Sequence, residues 1–478
     1  MNYRVITYTL GWVLNIEAAC MLLPLFCAII YNEPCFMQFL MCILLCLAVG
    51  IILICRPPKN KMMYSKEGFI IVALSWITMS IFGALPFYIS GYIPSFTDAL
   101  FETVSGFTTT GASILNDVEV LPKSLIFWRS FTHWIGGMGV LVFLVAIIPL
   151  SGGGNLYLLK AESPGPSVSK LVPKVRSTAK ILYGIYIFLT FVQTAFLLLG
   201  GMDMFEALTI TFGTAGTGGF SIKNSGMAEY SPYIQSVVTV FMIIFGIDFS
   251  LYYLILIKKF KWAVRSDEVR AYLGIIALSI VVISLNCRGL FQSVGETVHH
   301  VAFQVASIIT TTGYVTADFD KWPELSKSIL VMLMFIGACA GSTGGGIKVS
   351  RILILLKSIV KEIKISAHPR STHKITMNSR VVEHETVRAV NVFIAAYFAI
   401  YVISVLIISI DNAGFTTNFT AVAATINNIG PGLAEVGPVK NFSLYSPLST
   451  LVLTFDMLIG RLEVFPILIL FSPYTWKN

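Results

Sequence analysis

Four short runs of threonine, serine, glycine and asparagine recur along the chain. Their chemistry is that of backbone carbonyl oxygens rather than of acids or nucleophiles. The first reads Phe107-Thr-Thr-Thr-Gly111-Ala-Ser113, and the third, Ile309-Thr-Thr-Thr-Gly313-Tyr314, repeats its Thr-Thr-Thr-Gly core. The second, Thr217-Gly-Gly219-Phe-Ser221, keeps the spacing. The fourth, Asn427-Asn-Ile-Gly430-Pro-Gly432, diverges most, and its register could slip to Gly432. A loop whose carbonyls all face one way needs backbone conformations that glycine reaches without steric cost. Carbonyl rings of that kind can replace the hydration shell of a monovalent cation. One copy alone would mark only a helix end, whereas four in register point to a common cation pathway.

The stretches leading into these runs are related too. Asp98-Ala-Leu-Phe-Glu-Thr-Val-Ser105 aligns with His300-Val-Ala-Phe-Gln-Val-Ala-Ser307, so Phe101 matches Phe303 and Ser105 matches Ser307. The second copy keeps an Ala-Leu start after Glu206. Each lead-in is semi-polar and too short to cross a bilayer, near 97–110, 204–217, 298–312 and 416–429, and reads as a re-entrant helix.

The elements that position the runs follow from composition. Of 478 residues, 56% are apolar and 12% charged, with mean hydropathy +0.80, which excludes an ordinary soluble domain. Apolar runs predict ten spans near 8–31, 36–55, 68–90, 125–149, 178–200, 234–257, 270–287, 329–357, 386–410 and 446–471. The expected fold is an all-α polytopic membrane protein: two leading transmembrane helices, then four span–pore-helix–filter–span repeats in pseudo-fourfold arrangement. The division expected is 1–55 for the leading pair, then repeats at 68–149, 178–257, 270–357 (with a broken second helix) and 386–471.

The net charge of +8 does not imply nucleic acid, because the basic residues sit in a few loops between spans. One side, holding both termini and loops 56–67, 150–180, 258–270 and 348–388, has 25 of the 33 Lys and Arg; the other has seven, so the positive-inside rule puts both termini in the cytoplasm. All four re-entrant segments then enter from the outer side, where acidic residues outnumber basic ones and modestly concentrate cations. The eight cysteines lack CxxC spacing and read as small apolar packing residues. The first apolar run has no small-residue cleavage site and reads as a retained helix rather than a signal peptide.

The eighth span contains Gly337-Ala-Cys-Ala-Gly341-Ser342-Thr343-Gly344-Gly345-Gly346. Tight helix packing through small residues would explain some of these glycines. Three in succession weaken a helix beyond that need, at about 1 kcal/mol each relative to alanine, and suggest an unwound, movable loop below the filter. The stretch resembles a phosphate-binding loop only superficially, because Ile347 and Val349 flank Lys348 where the Walker pattern needs Gly and Ser or Thr. Arg461 lies inside the last span, where charge is costly and marks a functional candidate; a buried pair with Asp456 or Glu463 is the structural alternative. Asp248 and Glu17 read as hydrogen-bonded structural acids. Asp456, Glu463, Asp248 and His133 form no nucleophilic, acid–base or zinc arrangement, which argues against an intramembrane enzyme.

With these residues in hand, the chain resembles the TrkH-type membrane subunits of potassium uptake systems, within the TrkH/TrkG/KtrB/HKT superfamily. The resemblance rests on the four runs above, on Trp128-Arg-Ser-Phe-Thr-His-Trp-Ile-Gly-Gly-Met-Gly139 and on Gly341-Ser-Thr-Gly-Gly-Gly-Ile-Lys348, and it covers essentially the whole length. It implies ion-facing backbone at Thr109, Thr110 and Gly111; Thr217, Gly218 and Gly219; Thr311, Thr312 and Gly313; and Asn428, Ile429 and Gly430. It implies that the Gly337–Lys348 segment is an intramembrane gate, with Arg461 beside the pore against it. A serine in place of the first filter glycine accompanies sodium transport in this superfamily, so Gly111 favours potassium. The resemblance also implies a bacterial inner membrane, a homodimer among membrane lipid, and a cytosolic TrkA-type nucleotide-binding ring as regulator. It implies no organic cofactor in this chain and no nucleic acid. A passive potassium pore is the expected function, and a sodium- or proton-coupled symporter is the alternative.

Overall fold

The computed structural model describes residues 1–58, 64–139, 175–260, 262, 265–369 and 373–476. Two leading helices, α1 (Tyr3–Ile30) and α2 (Phe36–Ile54), pack against each other and against α3 (Ser65–Ile89). Then come α4 (Phe96–Phe107) and α5 (Lys123–Gly137), followed by α6 (Val175–Leu199), α7 (Met204–Ala215), α8 (Pro232–Phe245) and α9 (Phe249–Leu256). The third group is α10 (Asp267–Asn286), α11 (Val294–Ile309), α12 (Glu324–Ile336) and α13 (Val349–Ala367). The last is α14 (His384–Ile408), α15 (Phe415–Ile426), α16 (Pro447–Arg461), α17 (Phe465–Phe471) and α18 (Pro473–Trp476). A small antiparallel hairpin, Thr376–Met377 with Arg380–Val381, turns through Asn378 and Ser379, both at positive φ.

The short helices α4, α7 and α11 start alike. Ser95, Asp203 and Ser293 cap them by accepting from the Asp98, Phe205 and Glu296 amides, and an acid in each first turn complements the helix dipole. Returning helices start on proline beside a cap: Ser231 before Pro232 and Ser446 before Pro447. Each returning helix packs on the short helix of the following group: α5 on α7, α8 on α11, α12 on α15 and α16 on α4. The last of these contacts closes the circle.

Six helices among the described residues are long and apolar enough to cross a membrane, or seven if a bent pair is one span. Large apolar side chains such as Leu44, Ile52, Phe188, Phe191, Leu278 and Leu406 are exposed on them, as a lipid-facing surface requires. The structure differs from the ten expected spans, of which only the eighth is expected to be broken, at the returning helices. The break expected in the third group is there, between Ile336 and Val349. The second group also breaks, with α8 and α9 meeting at 90°. In the fourth, Glu463 (φ 57°) and Val464 (φ 69°) interrupt the helix. The cause at the second break is local: Gly246 ends α8, and Asp248 starts α9 by accepting from the Ser250 amide at 2.8 Å. The far half of the span expected at 125–149 and most of the loop at 150–180 lie outside the described residues.

Candidate ion-conduction site

The four short helices end in one repeated backbone form. The residue after each cap is left-handed: Thr109 (φ 57°), Thr217 (56°), Thr311 (58°) and Asn428 (55°). The next amide reaches back to a carbonyl in the last turn: Thr110 to Ser105 at 2.9 Å, Gly218 to Gly213 at 2.8 Å, Thr312 to Ser307 at 2.8 Å and Ile429 to Ala424 at 2.9 Å. This is the Schellman closure, normally built on glycine at the left-handed position. A β-branched residue there is a genuine outlier and marks stored strain. Two residues on, Gly111, Gly219, Gly313 and Gly430 again take positive φ, at 78°, 74°, 81° and 99°. Asn428 and Gly430 follow the pattern of the other three loops, which fixes the fourth register at Gly430 rather than Gly432.

The loops abut in a ring. A side chain at Gly111 would strike the Gly218 carbonyl, one at Gly219 the Thr312 carbonyl, and one at Gly313 the Ile429 carbonyl. At Gly430 it would lie 2.9 Å from the Thr110 carbonyl, returning to the first loop. Each glycine therefore faces the middle carbonyl of the next loop, and all twelve residues expected in the pathway lie in this cyclic arrangement. Only glycine meets both demands here, the positive φ and the close approach.

Beneath the ring runs the segment Gly337–Lys348, tied on several sides. The Gly345 amide donates to the Thr311 hydroxyl at 2.6 Å, and the Gly346 amide to the Asn427 carbonyl at 3.1 Å. The Cys339 amide donates to the Gly246 carbonyl, and the Gly341 carbonyl accepts from the Phe249 amide, both at 3.1 Å. Thr343 bonds the Phe245 carbonyl through its hydroxyl at 3.2 Å, and Ser342 bonds back to the Cys339 carbonyl at 2.6 Å. The Lys348 ammonium is buried and donates to the Gly344 carbonyl. Arg461 spans the space below the first loop. It donates to the Gly136 and Gly137 carbonyls at 2.5 and 2.8 Å, to the Thr343 carbonyl at 2.8 Å and to the Thr109 hydroxyl at 3.3 Å. Asp456 and Glu463, the carboxylates considered for Arg461, are engaged elsewhere, by the Ser404 hydroxyl at 2.7 Å and by Arg351 at 2.5 Å.

The family model for TrkH, described as a cation transport protein, matches residues 35–477. The chain belongs to the TrkH family. It is 36% identical over 485 residues to the Trk system potassium uptake protein TrkH of Escherichia coli K12, with all of both chains covered. To the TrkG protein of that organism it is 32% identical, covering 100% of this chain and 99% of that one. The crystal structure of the potassium transporter TrkH from Vibrio parahaemolyticus superposes with a TM-score of 0.90 at 34% identity, again over both whole chains. The TrkH-family fold makes this an integral membrane transporter and not an enzyme.

Several residues of this TrkH-family site were not evident in the sequence. Thr311 and Thr109 turn their hydroxyls down to the segment below and to Arg461 rather than serving only as backbone. Glu268, an acid in the first turn of α10, accepts from the Ala340 amide at 2.7 Å and the Ser350 amide at 3.1 Å, one on each side of the glycine run. Its signal was an acid at the start of a span, which is too common to single out. Glu17 departs from the expectation of a hydrogen-bonded acid: both carboxyl oxygens are buried and have no hydrogen-bond partner among the described residues, packed beside Gly83 on α3. At the mouth above the ring, Asn224 donates to Asp117 at 2.7 Å, linking the first two loops and holding that carboxyl below the usual aspartate range.

Proposed function

We propose that this chain is the potassium-selective, ion-conducting transmembrane subunit of a Trk-type potassium uptake system. The observation that carries this reading is the ring: four loops of one backbone form, each glycine against the next loop's carbonyl. Short helices direct their carboxyl ends, with partial negative charge, toward the ring and so favour a cation. Conduction is passive. Across ~100 mV one monovalent cation moving inward gains about 2.3 kcal/mol, so a pore alone can accumulate potassium. The Trk names of the relatives point to potassium as the cargo, and glycine at position 111 agrees with it.

The Gly337–Lys348 segment is the gate, and its contacts describe a closed one. Arg461 sits between the first loop and the segment, where its charge opposes a resident cation, and it ties the segment through the Thr343 carbonyl. Opening must move these ties together. A cytosolic nucleotide-binding ring of TrkA type supplies the drive, acting on the basic side, since the chain itself has no nucleotide-binding signature. The bias of Lys and Arg supports a bacterial inner membrane with both termini in the cytoplasm, and the assembly is a homodimer.

The test is radiolabelled rubidium uptake into proteoliposomes under an imposed potential, with potassium or sodium as competitor. Uptake should follow the potential and be blocked far better by potassium. Uptake that ignores the potential, or requires a sodium or proton gradient, would replace the passive pore with a coupled carrier.

A further inference from the structure

The chain leaving each ring glycine must be held in place, and three of the four groups do this internally. In the first, Glu102 of α4 accepts from the amide of Ile114, three residues past Gly111, at 2.9 Å. In the third, the Gln304 carboxamide oxygen of α11 accepts from the equivalent amide, Thr316, at 2.8 Å. In the fourth, the Thr420 hydroxyl of α15 accepts from the equivalent Leu433 amide at 2.9 Å. The second group has Ile210 where the first and third have Glu102 and Gln304, and isoleucine offers no acceptor. Thr209 stands where the fourth group has Thr420 and likewise donates to its own helix, toward the Phe205 carbonyl at 2.8 Å, but among the described residues it accepts no amide from the chain leaving Gly219.

Neighbouring groups hold that second exit instead. Arg129 of α5 donates to the Ser221 carbonyl at 2.9 Å and lies 3.4 Å over the Phe220 ring. Its charge is balanced by Glu102 at 2.5 Å, and both side chains are almost fully buried. The His133 ring bridges the Gly106 carbonyl through Nδ1 at 2.7 Å and the Phe220 amide through Nε2 at 3.2 Å. The carbonyl can only accept and the amide only donate, so this His is the neutral Nδ1–H tautomer. From the other side the Tyr314 hydroxyl donates to the Ile210 carbonyl of α7 at 3.1 Å and lies 3.5 Å from the Phe220 carbonyl of the second loop.

We infer that Arg129, His133 and Tyr314 are positioning residues for ion selection, bracing the second filter loop from the groups on either side where its own pore helix does not. Glu102 has two tasks, tethering the first loop and neutralising the brace of the second. The inference rests on the pore reading above for its effect on selection, but not for the brace itself.

The third group supplies the test. Where the first has Glu102 and Arg129, the third has Gln304 and, at the same place after its helix-starting proline, Leu330. The double variant Glu102→Gln/Arg129→Leu therefore keeps a tether for Ile114 and an apolar filler, leaves no lone buried charge, and removes the arginine's bond to Ser221 and its contact with the Phe220 ring together. Tyr314→Phe removes the brace on the opposite side. Purified variants are compared with the unmodified chain by hydrogen exchange and by sodium-against-potassium competition for rubidium uptake. In both variants peptides covering 217–224 should exchange at least severalfold faster, with those covering 311–317 unchanged in the double variant. Potassium-over-sodium preference should fall severalfold while uptake persists. Unchanged exchange at 217–224 overturns the brace, and faster exchange with unaltered preference overturns its role in selection. An unmodified chain without potassium preference would overturn the proposed cargo instead, leaving the exchange measurement to decide the brace.

Discussion

The left-handed threonines are the costliest residues in the ring, and their side chains explain their presence. Glycine would relieve the backbone at Thr311, yet it would leave the Gly345 amide without its hydroxyl partner. A buried donor stripped of its acceptor costs about 1–3 kcal/mol, so the Thr311 hydroxyl holds the glycine segment against the ring, the position proposed above as the closed one. Thr311→Val keeps the shape and branching and removes the acceptor. It should raise partner-free rubidium uptake roughly five- to a hundredfold, the population shift that this energy allows; uptake equal to the parent would show that the bond does not hold the gate. At the glycines the argument is steric. Gly111→Ser places an atom on the Gly218 carbonyl and should lower potassium preference over sodium in the same competition assay. Preference retained would mean that this carbonyl layer does not choose the ion.

At the scale of elements, the returning helices separate what the sequence makes legible from what it does not. The third break could be read because five glycines fall between Gly337 and Gly346. The second has a single glycine before Ile247 and Asp248; Asp248 reads as a hydrogen-bonded structural acid and is one, but that reading does not reveal that the bond is a helix cap at a break. The fourth has almost no composition signal, since the residues at positive φ are Glu463 and Val464 rather than glycines. The pair between Glu463 and Arg351, with a second contact at 3.2 Å, secures that break against α13. Glu463→Ala should therefore lower the melting temperature in detergent, because it strands Arg351 in a mostly buried site. Replacing both by apolar residues, Arg351→Met with Glu463→Leu, should recover much of the loss. Equal melting for all three proteins would show the pair to be incidental. The pore helices were legible for the opposite reason: the recurring glycine-ended runs and their short semi-polar lead-ins are local. The braces between groups were not, because Arg129 and Ser221 become neighbours only when the ring closes.

Across the whole molecule, closure depends on four like contacts, each a returning helix on the next short helix. Only the last joins the end of the chain to its beginning, through α16 and α4. These contacts are packing rather than connectivity, so the chain should tolerate a cut in the small hairpin at Asn378–Ser379, away from the ring. Residues 1–378 and 379–478, co-expressed, should co-purify and restore rubidium uptake, with neither piece active alone. Failure of the pieces to associate would show that the covalent link is needed to set the α12–α15 and α16–α4 contacts.

The ring is written in three different spellings over its four loops, all in one polypeptide. A channel assembled from identical subunits alters every quadrant whenever one codon changes, so a mild substitution is felt four times. Here a codon touches a single quadrant. Asn428 and Pro431 can stand in one loop while three threonines stand in the others, and the second loop can give up its own tether once its neighbours supply one. Drift within each quadrant is thereby uncoupled from the rest, and ion preference can be adjusted in quarter steps.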